Sequence, residues 1–209
     1  LAICDELLKP CEDQGLEQLY ADEPDDIVKP YVEDTLPVGK PIFNLGFKLK
    51  PQSGKELVRS ELIATSVLDV LLGAGSPFYQ KLLTEGIINS EFDTDAPFTG
   101  DGYFVLSCGG ESEHPEEVRD RIIAEIERAK KEGLDKEAFE RSKRVHYGDI
   151  IRSLNSVEGN ASMMLNAYIA GVKPFSTVEA LATITYEDAQ KFLCEQIDTT
   201  KAVLSVVHG

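Results

Sequence analysis

Apolar positions follow two rhythms along this chain. Over residues 41–49, Ile42, Phe43, Leu45, Phe47 and Leu49 alternate loosely with polar or small residues, the two-residue period of a strand. Gly46 within that run suggests a bulge or the close approach of another backbone. From Ser53 the rhythm changes. Leu57, Val58, Leu62, Ile63, Val67, Val70 and Leu71 recur at threes and fours, which predicts a helix capped by Ser53 and ended at Gly73-Ala74-Gly75. Ser76-Pro77 supplies a cap and a first-turn proline for a second helix over 78–85, stopped by Gly86. Residues 88–93 and 103–108 are expected as an antiparallel pair of strands around a turn at 95–102. Helical spacing returns over 115–132, over 137–154 behind Asp135, and over 157–170. It returns again over 177–182 behind Ser176, and over 186–196 behind Thr185, with Glu187 and Asp188 in the first turn. Residues 201–207 are almost wholly apolar and are expected inside the sheet.

Few strands and long helices in this order make the fold class α+β, a small mainly antiparallel sheet with helices packed on one face. The helices over 53–73 and 115–154 each show one apolar side, which is the side expected against the sheet. The N-terminal stretch differs. Eleven acidic residues face three lysines in the first forty positions, and Pro10, Pro24, Pro30 and Pro37 punctuate them. A short helix over 2–8 is expected there, then an acidic connector with extended pieces near 16–20 and 27–31. The division is therefore 1–39 as connector and 40–209 as domain.

Composition narrows the function. The net charge of −16 repels phosphate backbones, so nucleic acid is excluded as a partner. No apolar run reaches the ~18–20 residues of a membrane span; the longest, 62–73, is interrupted by Thr65, Ser66 and Asp69. No membrane association is expected. Residues 1–6 lack the basic end and apolar stretch of a signal peptide, and the missing initiator Met suggests a piece of a longer chain. Cys4, Cys11, Cys108 and Cys194 have neither metal spacing nor an obvious pairing. They are expected as buried thiols in a reducing cytoplasm.

Catalytic signatures are missing. There is no phosphate loop and no G-x-S-x-G, and His114, His146 and His208 stand in no zinc-binding spacing. His114 begins a helix, and His146 sits among Arg141, Lys143 and Arg144 on what is expected to be a charged outer face.

Four stretches resemble the C-terminal half of a pitrilysin/insulinase-family zinc metallopeptidase, near its bacterial processing-peptidase-like members. They are the strand Pro41-Ile42-Phe43-Asn44-Leu45-Gly46-Phe47-Lys48, the run from Gly75-Ser76-Pro77-Phe78-Tyr79 to Ile87, the strand Gly102-Tyr103-Phe104-Val105-Leu106-Ser107, and the closing helix and strand at 183–191 and 202–207. The resemblance covers about 40–208, with 1–39 similar to the linker between halves. It implies a metallopeptidase/LuxS-like half-domain and zinc in the parent's N-terminal half, held there by an H-x-x-E-H motif that this chain lacks. It implies no catalytic residue and no cofactor in this fragment, which would not cleave peptides alone. Its partners would be that N-terminal half, in the same chain or a homologous subunit, and an extended peptide. The peptide would be enclosed against the sheet's open face or its edge strand. Many members carry an Arg on the strand at Tyr103-Phe104 and a Tyr beyond it; here no Arg occurs between Arg59 and Arg119. Tyr103, Phe104 and His114 are the residues left to meet substrate. The alternative is a structural module of an inactive pseudo-peptidase.

Overall fold

A computed structural model describes residues 2–8, 23–95, 97–100 and 102–209. Cys11 and the extended piece expected at 16–20 lie outside them. The strands are β1 (Tyr31–Thr35), β2 (Ile42–Leu49), β3 (Asp93–Thr94), β4 (Phe98–Gly100), β5 (Tyr103–Glu111) and β6 (Ala202–His208). The helices are α1 (Ala2–Leu7), α2 (Gly54–Leu72), α3 (Pro77–Thr84), α4 (Pro115–Glu132), α5 (Lys136–Ser153), α6 (Val157–Ile169), α7 (Ser176–Thr183) and α8 (Tyr186–Gln196). The strands form one sheet in the order β1-β6-β2-β5-β3, with β4 also on the outer side of β5. Every pairing is antiparallel except β1 with β6.

The alternation in β2 sends Phe43, Leu45, Phe47 and Leu49 to one side, where all four are buried. Register carries the same side across the sheet. Leu45 lies between Cys108 of β5 and Leu204 of β6, and Phe47 between Leu106 and Ala202. This face meets Ile63, Val67 and Leu71 of α2, Val118, Ile122 and Ile126 of α4, and Ala189, Phe192 and Leu193 of α8, in one continuous core. Each of these side chains other than Ala189 contributes about 1.5–3 kcal/mol of burial. Polar clasps hold the helical layer. Arg59 on α2 donates to Thr183 Oγ1 at 3.1 Å and to Asp188 Oδ2 at 2.6 Å. Thr185 and Asp188 complete a reciprocal capping box at the start of α8.

Several expectations are corrected. The strand expected at 88–93 is not one: Ile88 and Phe92 are buried as plugs in an irregular turn, Phe92 stacking on Phe43 at 6.2 Å. Only Asp93–Thr94 pair there, and β4 occupies part of the expected turn. Tyr31–Thr35, inside the acidic stretch, joins the sheet beside β6. Ser76, Asp135 and Thr185 cap with their side chains, but Ser53 makes no such bond. Ser176 lies within its helix, behind Phe175 at φ 68°. Gly46 makes no bulge: an added Cβ would meet Val105 at an ordinary 3.6 Å. The close approaches fall instead at Gly109 and Gly110, where a Cβ would come within 2.5 Å of the Phe43 carbonyl oxygen and 2.7 Å of Phe92 Cα. Cys108 is buried, and burial pushes its thiol up to about 12; Cys4 and Cys194 are exposed. His146 is half-buried rather than on a charged outer face, and its Nδ1 has no hydrogen-bond partner among the described residues.

Candidate functional site

With helices on one side, the sheet's other face is open. Register assigns to it Val203 and Ser205 of β6, Asn44, Gly46 and Lys48 of β2, and Tyr103, Val105 and Ser107 of β5. Residues 23–29 run along this face and wall off a groove of about 560 Å³, whose lining includes Ile27, Val28, Val32, Tyr103, Val105 and Val203. Gly46 leaves its floor low. Two lysines pin that wall. Lys48 Nζ donates to the Pro24 carbonyl and pairs with Glu23 at 3.4 Å. Lys201 Nζ donates to the Asp25 carbonyl at 2.7 Å and pairs with Asp26 at 3.7 Å. Beyond the groove, Ser107 Oγ donates to Asp95 Oδ2 at 2.7 Å, and Asn44 Nδ2 reaches the same oxygen at 3.5 Å.

The three candidate residues do not meet. Tyr103 is half-buried and lines the groove. Phe104, one position on, points the other way: it is 1% exposed, with its ring 6.4 Å from that of Phe192. It is a packing residue of the core, out of reach of a peptide on the open face. His114 is exposed at the N-cap of α4, its side chain making no capping bond. It follows the far end of β5, about 25 Å from Tyr103 at ~3.3 Å per strand residue. The residues that shape the groove with Tyr103 are the apolar Ile27, Val28, Val32, Val105 and Val203 and the charged Glu23, Asp26, Lys29 and Lys48, and they lie on β1, β2, β5, β6 and the acidic stretch. The signal that finds Val105 and Val203 is parity: each is two positions or one register step from another open-face residue.

Among the described residues, no group of three His, Cys, Asp or Glu is close enough to hold a metal ion. His114, His146 and His208 stand before α4, within α5 and at the end of β6. The residues described in this chain do not fit a catalytic zinc site. Among them, no helix is long and apolar enough to cross a membrane.

This fold, a half-covered sheet without a catalytic cluster among the described residues, has known counterparts. The family model described as the peptidase M16 inactive domain matches residues 8–145. The chain belongs to that family. It is 30% identical over 145 residues to the uncharacterized zinc protease YmfH of Bacillus subtilis, covering 69% of this chain and 33% of that protein. An M16-like peptidase structure from Alicyclobacillus acidocaldarius superposes with a TM-score of 0.84 at 26% identity, over 92% of this chain and 46% of the other. A protease structure from Helicobacter pylori has the same fold, with a TM-score of 0.78 at 16% identity, over 98% of this chain and 50% of the other. The chain thus spans between a third and a half of these relatives.

Proposed function

We propose that this M16 inactive domain is the non-catalytic half of a cytoplasmic zinc peptidase of the processing-peptidase type. It closes over an N-terminal half that holds the zinc, and it positions an extended peptide against the open face of its sheet. Residues 1–39 connect the halves, their last part stitched to the sheet by β1 and by Lys48 and Lys201. The observation that carries the reading is the open-face groove: apolar at Ile27, Val28, Val32, Val105 and Val203, flanked by the charged Glu23, Asp26, Lys29 and Lys48, and holding Tyr103. Such a surface gives an extended chain apolar contact with little demand on its sequence. The charge of −16 draws in basic or uncharged peptides by an attraction that weakens with salt.

The test uses the full-length parent. Tyr103→Ala is expected to raise KM for an extended basic peptide about fivefold to tenfold, with kcat within about twofold, because it removes binding shared by ground and transition states. Zinc content stays unchanged. Wild-type KM in Tyr103→Ala overturns the groove assignment. A parent without zinc-dependent hydrolysis overturns the peptidase reading in favour of a structural module.

A further inference from the structure

Two buried side-chain polar atoms lack a hydrogen-bond partner among the described residues, Ser142 Oγ and His146 Nδ1, and they lie one turn apart on α5. A serine or threonine inside a helix can donate to the carbonyl four residues back. Thr65 and Ser66 of α2 do so, to Glu61 and Leu62, each at 2.9 Å. Ser142, 3% exposed, leaves that bond unmade and lines a cavity instead. The cavity has a volume of about 660 Å³ and lies in the helical layer, away from the open face of the sheet. Its walls are the end of α2, the start of α3, the last turns of α4 and the first half of α5.

The charges around the cavity are of both signs, and not all of them answer one another. Arg128 is held by Glu125 at 2.6 Å and by Glu132 at 2.8 Å. Asp135 accepts from the Ala138 N–H at 2.8 Å as the cap of α5. Asp69 and Arg141 form no ion pair among the described residues. Asp69 stands in the last turn of α2, where the helix dipole is already negative and no basic residue offsets it. Gly73 makes room for its carboxylate, since a Cβ there would lie 2.5 Å from Asp69 Oδ1. A carboxylate so placed is matched by a cation from outside the helix. Much of the remaining lining is apolar, with Val70, Leu71 and Leu134.

We infer that this cavity is a second binding site, for a short free peptide. The peptide's ammonium meets Asp69, its carboxylate meets Arg141, a backbone amide meets the Ser142 hydroxyl, and its side chains lie on the apolar lining. The ligand class follows from the groups present. A carboxylate and a guanidinium left unanswered by the protein complement a zwitterion. A hydroxyl both donates and accepts, as an amide requires of its partner. The volume lies within the ~300–1,000 Å³ of sites that enclose drug-sized ligands, more than a single amino acid fills. The site stands apart from the groove at Tyr103, and it does not depend on whether the parent cleaves peptides.

Titration calorimetry of trileucine into the full-length parent, held in chelator so that nothing is cleaved, tests the inference. Trileucine is expected to bind, and its N-acetyl and C-terminal amide forms each bind about tenfold more weakly, the loss of one charge-assisted contact. Arg141→Gln makes the acid and the amide bind equally, and Asp69→Asn does the same for the free and acetylated amines. Ser142→Ala weakens trileucine about fivefold without lowering the urea midpoint, because the hydroxyl has no bond to lose in the free protein. A merely structural hydroxyl would lower that midpoint and leave the affinity alone. Absence of binding up to about 5 mM overturns the proposal, as does an affinity indifferent to capping at either end. So does an affinity that falls with Tyr103→Ala and not with Arg141→Gln, which would put the peptide in the open-face groove.

Discussion

Phe104→Ala separates a core residue from a peptide contact. The ring is 1% exposed on the helix side of β5 and tilts against Phe192 at 6.4 Å. Truncation removes the transfer energy of the ring and leaves a cavity between sheet and α8. Such changes cost about 3–5 kcal/mol, including the aromatic pair. For a domain with a total stability of about 5–15 kcal/mol, that is a large fraction. With a urea m-value of about 2–3 kcal/mol/M, the unfolding midpoint falls by roughly 1–2 M. Phe104→Leu keeps most of the volume and is expected to lose about 1–1.5 kcal/mol. The assay is equilibrium urea unfolding followed by far-UV circular dichroism, with the m-value checked for constancy. A cooperative transition in Phe104→Ala within about 0.3 M of wild type would place the ring outside the core. The face assignment of the whole of β5, Tyr103 included, would then be wrong.

Two further predictions follow from the same sheet and helical layer. Gly109→Ala is expected to destabilise by about 1–3 kcal/mol, because its Cβ would lie 2.5 Å from the Phe43 carbonyl oxygen, a backbone atom fixed by the β2–β5 ladder, whereas Gly46→Ala meets Val105 at 3.6 Å and the Leu106 carbonyl oxygen at 3.9 Å, ordinary contacts, and is expected to be neutral or slightly stabilising; equal urea midpoints for the two variants would contradict the packing described. Burial pushes the Asp188 carboxyl up, but the Thr185 N–H and hydroxyl and the Arg59 guanidinium outweigh it and hold the group below the usual range. A depressed carboxylate contributes fully above its unfolded value near ~4 and loses that contribution as pH falls through its folded value, so Asp188→Asn is expected to flatten the decline of stability below about pH 4, and parallel pH profiles for variant and wild type would exclude the assignment.

Much of the architecture is legible because it rests on local chemistry. Ser76-Pro77, Asp135 and Thr185 announce helix starts with side chains that do bond the first turn. Strands β2, β5 and β6 carry enough apolar residues to declare themselves. What escapes reading has no local signal. Ile88 and Phe92 are apolar because they plug the core, and burial alone does not distinguish a plug from a strand. β3 and β4 are two and three residues long, held by their partner β5 rather than by their own composition. The site is less legible than the fold. Tyr103 and Phe104 are neighbours in a strand, so the two-residue period puts them on opposite faces, and a resemblance that covers both cannot assign both to one ligand. The groove's other walls come from an acidic stretch whose charge hides Ile27, Val28 and Val32.

That acidic stretch also bears on how a peptide could approach. A long bare edge strand invites another chain to pair with it, and charged residues on the edge discourage this. β1 is such an edge. Tyr31 donates its hydroxyl to Glu33 at 2.8 Å, a bond to a carboxylate that pushes the phenol up to about 12. Glu33 also lies 3.6 Å from His208 Nε2, and the Asp34 carboxylate accepts from the Thr35 N–H at 2.8 Å, occupying a backbone donor on the strand itself. The opposite side of the sheet ends in β3 and β4, too short to template a long partner. With one edge charged and the other abbreviated, the continuous surface left for an extended chain is the open face beside Tyr103, Val105 and Val203. Other acidic residues of the same stretch, Glu23 and Asp26, are anchored by Lys48 and Lys201 and so hold the wall of the groove. Charge that looks like the mark of a solvated connector in the sequence thus lies along an edge and walls a groove in the fold.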